Sequence, residues 1–264
     1  MNSILQRSIA VFVLSLIPAL AEAAKLNVVE GQDRPELALL VVGEVQGGLG
    51  TSFRTDVMLI NNRSVDQPVV VRWLPRDQNG AAIPAVPLTL RANAFFPLRD
   101  FVHTIGQTGI GSVIVTAVTA DGSFDVNGKL DGFARVYTET TCGNTTGTVS
   151  QAQQSVITSQ FAGAGRGTIL GLRQDAGFRT NVGVVNFDRN AAHTFDIVIS
   201  GQGVGGSMTI TVQPASLTQL PIPAGAFGDL LISVRSRSDA ATWHAYGSSV
   251  DNQTGDGWIS LAGN

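Results

Sequence analysis

Acidic and amide side chains at short spacing are the first groups in this chain that could do chemistry. Asp125-Val126-Asn127-Gly128-Lys129-Leu130-Asp131 offers three oxygen donors, the kind of set with which a loop holds a hard cation such as calcium. Lys129 stands where a third alternate ligand belongs, and no glutamate closes the loop. The same composition makes an ordinary hairpin turn, so Asp125, Asn127 and Asp131 are calcium candidates in a chain otherwise expected to hold no metal. A second polar run, Asp251-Asn252-Gln253-Thr254-Gly255-Asp256-Gly257, supplies Asp251, Asn252 and Asp256 as candidate binding residues. Its plainer reading is a polar loop between the last two strands.

The remaining candidates sit in a stretch that occurs twice. Phe53-Arg54-Thr55-Asp56-Val57-Met58-Leu59-Ile60-Asn61 returns as Phe178-Arg179-Thr180-Asn181-Val182-Gly183-Val184-Val185-Asn186. Arg54 and Asp56, with Arg179 and Asn181, would be two equivalent ligand sites if their side chains were free. Strand periodicity gives another meaning. Phe53, Thr55, Val57 and Leu59 share one face, and Arg54, Asp56, Met58 and Ile60 share the other. The first face is expected in a core, and the polar pairs are expected to anchor a loop at the start of the strand.

Other motifs fail on context. Gly201-Gln202-Gly203-Val204-Gly205-Gly206 fits a dinucleotide fingerprint, but Ser207-Met208-Thr209-Ile210-Thr211-Val212 follows as a strand where a helix must hold the pyrophosphate. Gly128-Lys129 lacks the spacing of a phosphate loop. His103, His193 and His244 have no paired spacing, and no zinc or common hydrolase signature is present. Cys142, the single cysteine, has no local base to activate it and cannot form an internal bridge. The chain is read as non-catalytic and without a cofactor; the competing reading is a hydrolase whose active site is assembled from distant loops.

The elements that position these residues are short strands rich in Val, Ile and Thr. Leu37 to Val45 precedes the first motif and Gly167 to Leu172 the second, with Gly43 matched to Gly171. Val69–Leu74 matches Phe195–Ile199, Leu88–Leu90 matches Met208–Val212, Ser112–Val118 matches Asp229–Val234, and Gly132–Tyr137 matches Thr242–Tyr246. About seven strands in roughly 100 residues per copy is the pattern of an immunoglobulin-like sandwich. The fold expected is all-β, two tandem immunoglobulin-like β-sandwich domains related by internal duplication, over residues 37–158 and 159–264. Gln151 to Phe161 is the most helix-permissive segment and falls between them. Trp73, Trp243, Trp258, Tyr137 and Tyr246 are expected in the cores.

Ahead of them, Arg7, the apolar run Ile9 to Leu20 and Ala21-Glu22-Ala23 read as a signal peptide over residues 1–23, followed by a flexible leader over 24–36. The run is too short to span a bilayer, so the exported chain is expected to be secreted or periplasmic without membrane insertion. Net charge −3, with 14% charged residues, gives no footprint for nucleic acid.

The second motif together with Tyr246-Gly247-Ser248-Ser249-Val250-Asp251-Asn252-Gln253-Thr254-Gly255-Asp256 resembles a tandem β-sandwich module of secreted soil-bacterial proteins, a family with no established activity. The resemblance covers most of residues 37–264, although the first copy carries Asp56 for Asn and lacks the Asp-Asn-Gln-Thr end. It implies fold and export. The expected function is an exported structural, adhesive or binding module, meeting a protein or glycan of the envelope or extracellular space through loops or a sheet edge. A periplasmic two-domain chaperone that pairs a strand with its client is the alternative.

Overall fold

A computed structural model describes residues 34–263 except 47–51, 143–144, 203–204, 224 and 226. The expected signal peptide, and the leader before Arg34, lie outside the described residues. The last leader residues are already bonded: the Pro35 carbonyl accepts from Ala117 N–H at 2.7 Å and the Arg34 carbonyl from Leu130 N–H at 2.8 Å.

The described chain is all-β, with one short helix, α1 (Phe101–Thr104). Its first half holds β1 (Glu36–Gln46), β2 (Ser52–Asn61), β3 (Gln67–Pro75), β4 (Val86–Leu90), β5 (Ala94–Leu98), β6 (Gly109–Ala117), β7 (Leu130–Cys142) and β8 (Thr145–Gln154). These form one antiparallel sheet, ordered β4-β3-β6-β1-β2-β7-β8 with β5 also on β2, that curls into a half-barrel. The corner is β1. Residues 36–44 pair with β6 and residues 45–46 with β2, and a bulge between Leu39 and Val42 gives the bend.

The second half holds β9 (Phe161–Ala162), β10 (Arg166–Gln174), β11 (Phe178–Asn186), β12 (His193–Ser200), β13 (Gly205–Val212), β14 (Ser216–Pro221), β15 (Gly228–Ser236), β16 (Thr242–Asp251) and β17 (Gly257–Leu261). They form two antiparallel sheets, β10-β15-β12-β13 and β14-β11-β16-β17, with β9 on β16. Opened at the β1–β2 corner, the first half reads β4-β3-β6-β1 and β5-β2-β7-β8. The two halves therefore have the same strand order, and the bulge in β1 has its counterpart between Ile169 and Leu172 of β10.

Several expectations change. There are eight strands in the first half, not seven, because the proline-bearing stretches at Pro97 and Pro221 are strands β5 and β14. Pro97 and Pro221 each have one ladder partner, Met58 and Asn181, so their other side carries no ladder bond for a missing proline N–H to break. The helix-permissive segment begins as the end of β8, and residues 155–160 form no regular element. Pairing of second with fifth and third with sixth strands is that of an immunoglobulin sandwich. Here, however, the first strand lies beside the sixth and the seventh beside the second, where an immunoglobulin domain sets the first by the second and the seventh by the sixth.

Three cores hold the layers together. Leu39, Leu59, Trp73 and Val115 fill the half-barrel. Ile169, Val184, Phe195, Val234 and Trp243 fill the second half, with the Trp243 ring stacked on Phe161 at 4.9 Å. Between the halves, Leu40, Leu74 and Ile114 pack with Val185, Leu217 and Tyr246. Strands β1 and β6, and β11 and β16, are thus buried on both faces. In β1 and β6 the sequences are accordingly mainly apolar runs and not alternating ones, whereas β11 and β16 also bury Thr180, Asn186, His244 and Ser249.

Candidate functional site

The repeated motif is first a structural device. Thr55 and Thr180 are buried, and each hydroxyl bonds the opposite sheet at the bulged strand. Thr55 Oγ1 donates to the Gly43 carbonyl at 3.0 Å and accepts from Gly43 N–H at 2.8 Å. Thr180 Oγ1 donates to the Arg173 carbonyl. The counterpart of Gly43 is therefore Arg173 and not Gly171, which sits inside the bulge at φ +73°. Asn61 and Asn186, both fully buried, end the motif with one shared network. Asn61 Nδ2 donates to the carbonyls of Val65, Leu90 and Arg91 at 2.9–3.2 Å, and its Oδ1 accepts from Arg63 N–H at 2.9 Å. Asn186 Nδ2 donates to Ala191, Val212 and Gln213, and its Oδ1 accepts from Asp188 N–H at 3.0 Å.

The polar motif residues do hold loops, but not as internal pairs. Asp56 takes Arg99 at 2.5 Å and Arg135 at 3.8 Å, while Arg54 faces Asp100 at 3.7 Å. Both thereby secure the segment leading into α1. Arg179 Nη1 donates to Asn252 Oδ1 at 2.9 Å, and Asn252 Nδ2 donates to the Ala176 carbonyl at 3.2 Å. Asn181 faces a cleft between the halves, and its amide has no hydrogen-bond partner among the described residues.

The acidic loops are occupied by their own backbone. Asp251 Oδ1 accepts from Thr254 and Gln253 N–H at 3.0 and 2.7 Å, and these bonds hold its carboxyl below the usual carboxylate range. Asp256 Oδ1 accepts from Gly257 N–H at 2.9 Å. Asp125 accepts from Asn127 N–H at 3.0 Å and pairs with Arg63 at 2.6 Å; the backbone bond leads in lowering its carboxyl. Asp131 takes Gly132 N–H and Ser155 Oγ at 2.7 and 3.0 Å. Among the described residues, no three His, Cys, Asp or Glu side chains converge as a metal site.

Histidine chemistry is likewise confined. His193 Nε2 lies 2.8 Å from Asp188 Oδ2, but the ring is buried. His244 is fully buried; its Nδ1 lies 2.9 Å from the Ala245 nitrogen and 3.0 Å from the Ala245 carbonyl oxygen, and its Nε2 lies 3.1 Å from Gln160 Oε1. Burial pushes its pKa down to about 4, so it is neutral near pH 7. In the glycine-rich Gly201–Gly206 stretch, Gly205 and Gly206 already belong to β13, so the pattern runs into a strand. Cys142 ends β7; its side chain lies outside the described residues.

Two concave surfaces remain at the motif. The cleft between the halves, about 250 Å³, is lined by Val41, Val149, Arg179, Asn181, Gln219 and Tyr246 among others. A cup of about 200 Å³ lies on the solvent face of β5-β2-β7, lined by Met58, Pro97 and Phe133 with Asp56, Arg99 and Arg135 at its rim. Both are smaller than the roughly 300–1,000 Å³ of small-molecule sites. A shallow third depression of about 390 Å³ holds Asp175, whose carboxylate is bound by Arg173 at 2.6 Å.

The cup belongs to a wider apolar face that the choice of site residues passed over. Pro97, Met58 and Phe133 form one row across three strands, and Phe95 and Ile60 begin the next. Phe95, Phe133 and Met58 are 66%, 39% and 37% exposed. Alternation had already put Met58 and Ile60 outward; their apolar character on a solvent face was the signal. Of the aromatics expected in cores, Trp258 is 37% exposed, with Nε1 donating to the Gly171 carbonyl at 2.6 Å. Tyr246 is buried, but between the halves.

Compared with protein-family models, curated proteins and solved structures, the chain matches none. The resemblance to a secreted tandem module therefore identifies no relative.

Proposed function

We propose that the protein is an exported, non-catalytic binding module built from two copies of one immunoglobulin-like sandwich, and that it docks a protein through the solvent face of β5-β2-β7. Matched strand order, matched bulges and the matched Asn61 and Asn186 networks support the duplication. The observation that carries the docking role is the exposed row Pro97–Met58–Phe133 beside Phe95. The corresponding face of the second half is covered by an aliphatic sheet face, with Val185, Leu217 and Tyr246 against Leu40, Leu74 and Ile114. The partner expected is a protein that offers a similar aliphatic strand surface, and the Arg99–Asp56–Arg135 rim supplies polar contacts around it.

A photo-crosslinking phenylalanine analogue at Phe95 tests this in the native envelope fraction. One protein adduct, linked through a strand face and lost on Phe133→Asp, is expected. Adducts with polysaccharide alone, or an adduct indifferent to Phe133→Asp, would overturn the reading. Sequencing of the exported chain should find an N-terminus near Ala24.

A further inference from the structure

The contact between the halves is made by two different faces. The second half contributes the outer face of β14-β11-β16, with Leu217, Val185 and Tyr246; the first contributes the outer face of β3-β6-β1, with Leu74, Ile114 and Leu40. Because the halves share strand order and register, each of these faces has a counterpart in the other half. The counterpart of the first is the Phe95, Met58 and Phe133 face of β5-β2-β7: Met58 pairs with Pro97 and Phe133 as Gly183 pairs with Gln219 and Tyr246. The counterpart of the second is the outer face of β12-β15-β10. There Leu170 stands at the place of Leu40, Leu231 at that of Ser112 and Val198 at that of Arg72.

These two counterparts are the uncovered ends of the layered stack. Among the described residues, ten large hydrophobic side chains are exposed, and six of them lie on these two faces. Leu170, Val198 and Leu231 are 57%, 47% and 42% exposed on neighbouring strands. One molecule thus presents at its two ends the same kinds of face that it joins in its middle.

We propose that the protein assembles head to tail with copies of itself, the Met58–Phe133 face of one molecule seating on the Leu170–Leu231 face of the next. The relation that carries the first half onto the second, applied again, places the next copy. Such a contact is heterologous, and it propagates into an open series unless the rotation closes a ring. It is weaker than the internal contact, because Ser200, Ser233 and Thr168 replace Leu74, Ile114 and Ala38 on the receiving face. Reversible association at a surface that must also stay soluble follows. The inference rests on the docking face proposed above and adds its occupant.

Sedimentation velocity on the purified protein, over a wide concentration range, tests it with one blocking variant for each face. Wild type should show a mass that rises with concentration beyond the dimer. Phe133→Asp and Leu231→Asp should each be monomeric alone, with self-association at least tenfold weaker. Mixed together they should give a 1:1 dimer and nothing longer, since the mixture retains one intact face of each kind. Phe95→Asp, on the edge strand, replaces Phe133→Asp if that variant fails to fold. A wild type that stays monomeric throughout overturns the inference; the docking face itself is judged by the cross-linking at Phe95. Dimers that survive Leu231→Asp but not Phe133→Asp overturn it in favour of a symmetric contact.

Discussion

Two rows of residues occupy the same register positions in the two halves: Pro97–Met58–Phe133–Gln154 in the first and Gln219–Gly183–Tyr246–Leu261 in the second. In the second row, glycine leaves the surface of β11 open, and the Tyr246 ring lies across it. A Cβ on Gly183 would come within 2.3 Å of that ring. The phenol then reaches Gln219 Oε1 at 2.6 Å, so a fully buried hydroxyl keeps its partner, and burial raises its pKa further. In the first row, Met58 fills the glycine position and Phe133 replaces the tyrosine, and both remain exposed. One sheet face has become an internal interface with a polar tether; the other has kept apolar side chains and has no cover of its own. Topology alone does not decide what a face does. What comes to lie on it does.

The comparison can be broken at its centre by paired substitutions. Tyr246→Ala should cost about 3–5 kcal/mol, because it removes a fully buried ring from between the halves and leaves Gln219 without its donor. Phe133→Ala, at the same register position, should cost under about 1 kcal/mol. Urea denaturation of the two variants reads the difference, and equal losses would refute the assignment of covered and open faces.

The next row gives a titration. His244 occupies the position that Asp131 holds in the first half. It is neutral in the folded chain, with a pKa near 4 against the ordinary 6.5, so the unfolded chain binds more protons between those values. Stability is therefore complete above pH 6.5 and falls as pH drops toward 4, by up to about 3 kcal/mol. Melting temperature against pH should show this loss in wild type, and His244→Gln should remove it. Carboxylates such as Asp251 are lowered below 3.8 and titrate at lower pH.

Asn61→Ala and Asn186→Ala should each cost about 2 kcal/mol or more, by leaving buried carbonyls and an N–H unpaired. The two losses should be nearly equal, since the networks are the same, and denaturation curves measure both. Smallest of all, Arg179→Ala should cost under about 1 kcal/mol: its bond to Asn252 is exposed. A larger loss of partner binding than of stability would return Arg179 to the list of binding residues.

Much of the framework was legible because it is local. Val-rich runs, the twice-used motif and strand alternation placed Thr55 and Thr180 inward and Met58 and Ile60 outward. The role of Asn61 was not legible, since its partners Leu90 and Arg91 come from a strand end about thirty residues away. Gly43 was matched to Gly171 because a bulge shifts register without altering composition. Strands β5 and β14 were hidden by prolines, which a strand at the end of a sheet tolerates. The acidic loops read as candidate ligand sites because turn chemistry and metal chemistry use the same side chains, and their carboxylates accept hydrogen bonds from their own backbone. Whether an outward apolar face is covered is a property of assembly between halves, and no window of sequence contains it.

Hydroxyl-radical footprinting read by mass spectrometry measures both rows at once. In dilute protein, Met58, Phe95 and Phe133 should be oxidised readily while Tyr246 stays protected. On concentration, Met58 and Phe133 should become protected together with Leu170 and Leu231. Protection of Met58 and Phe133 in the dilute monomer would contradict the open docking face, and reactivity unchanged at every concentration would contradict the self-association.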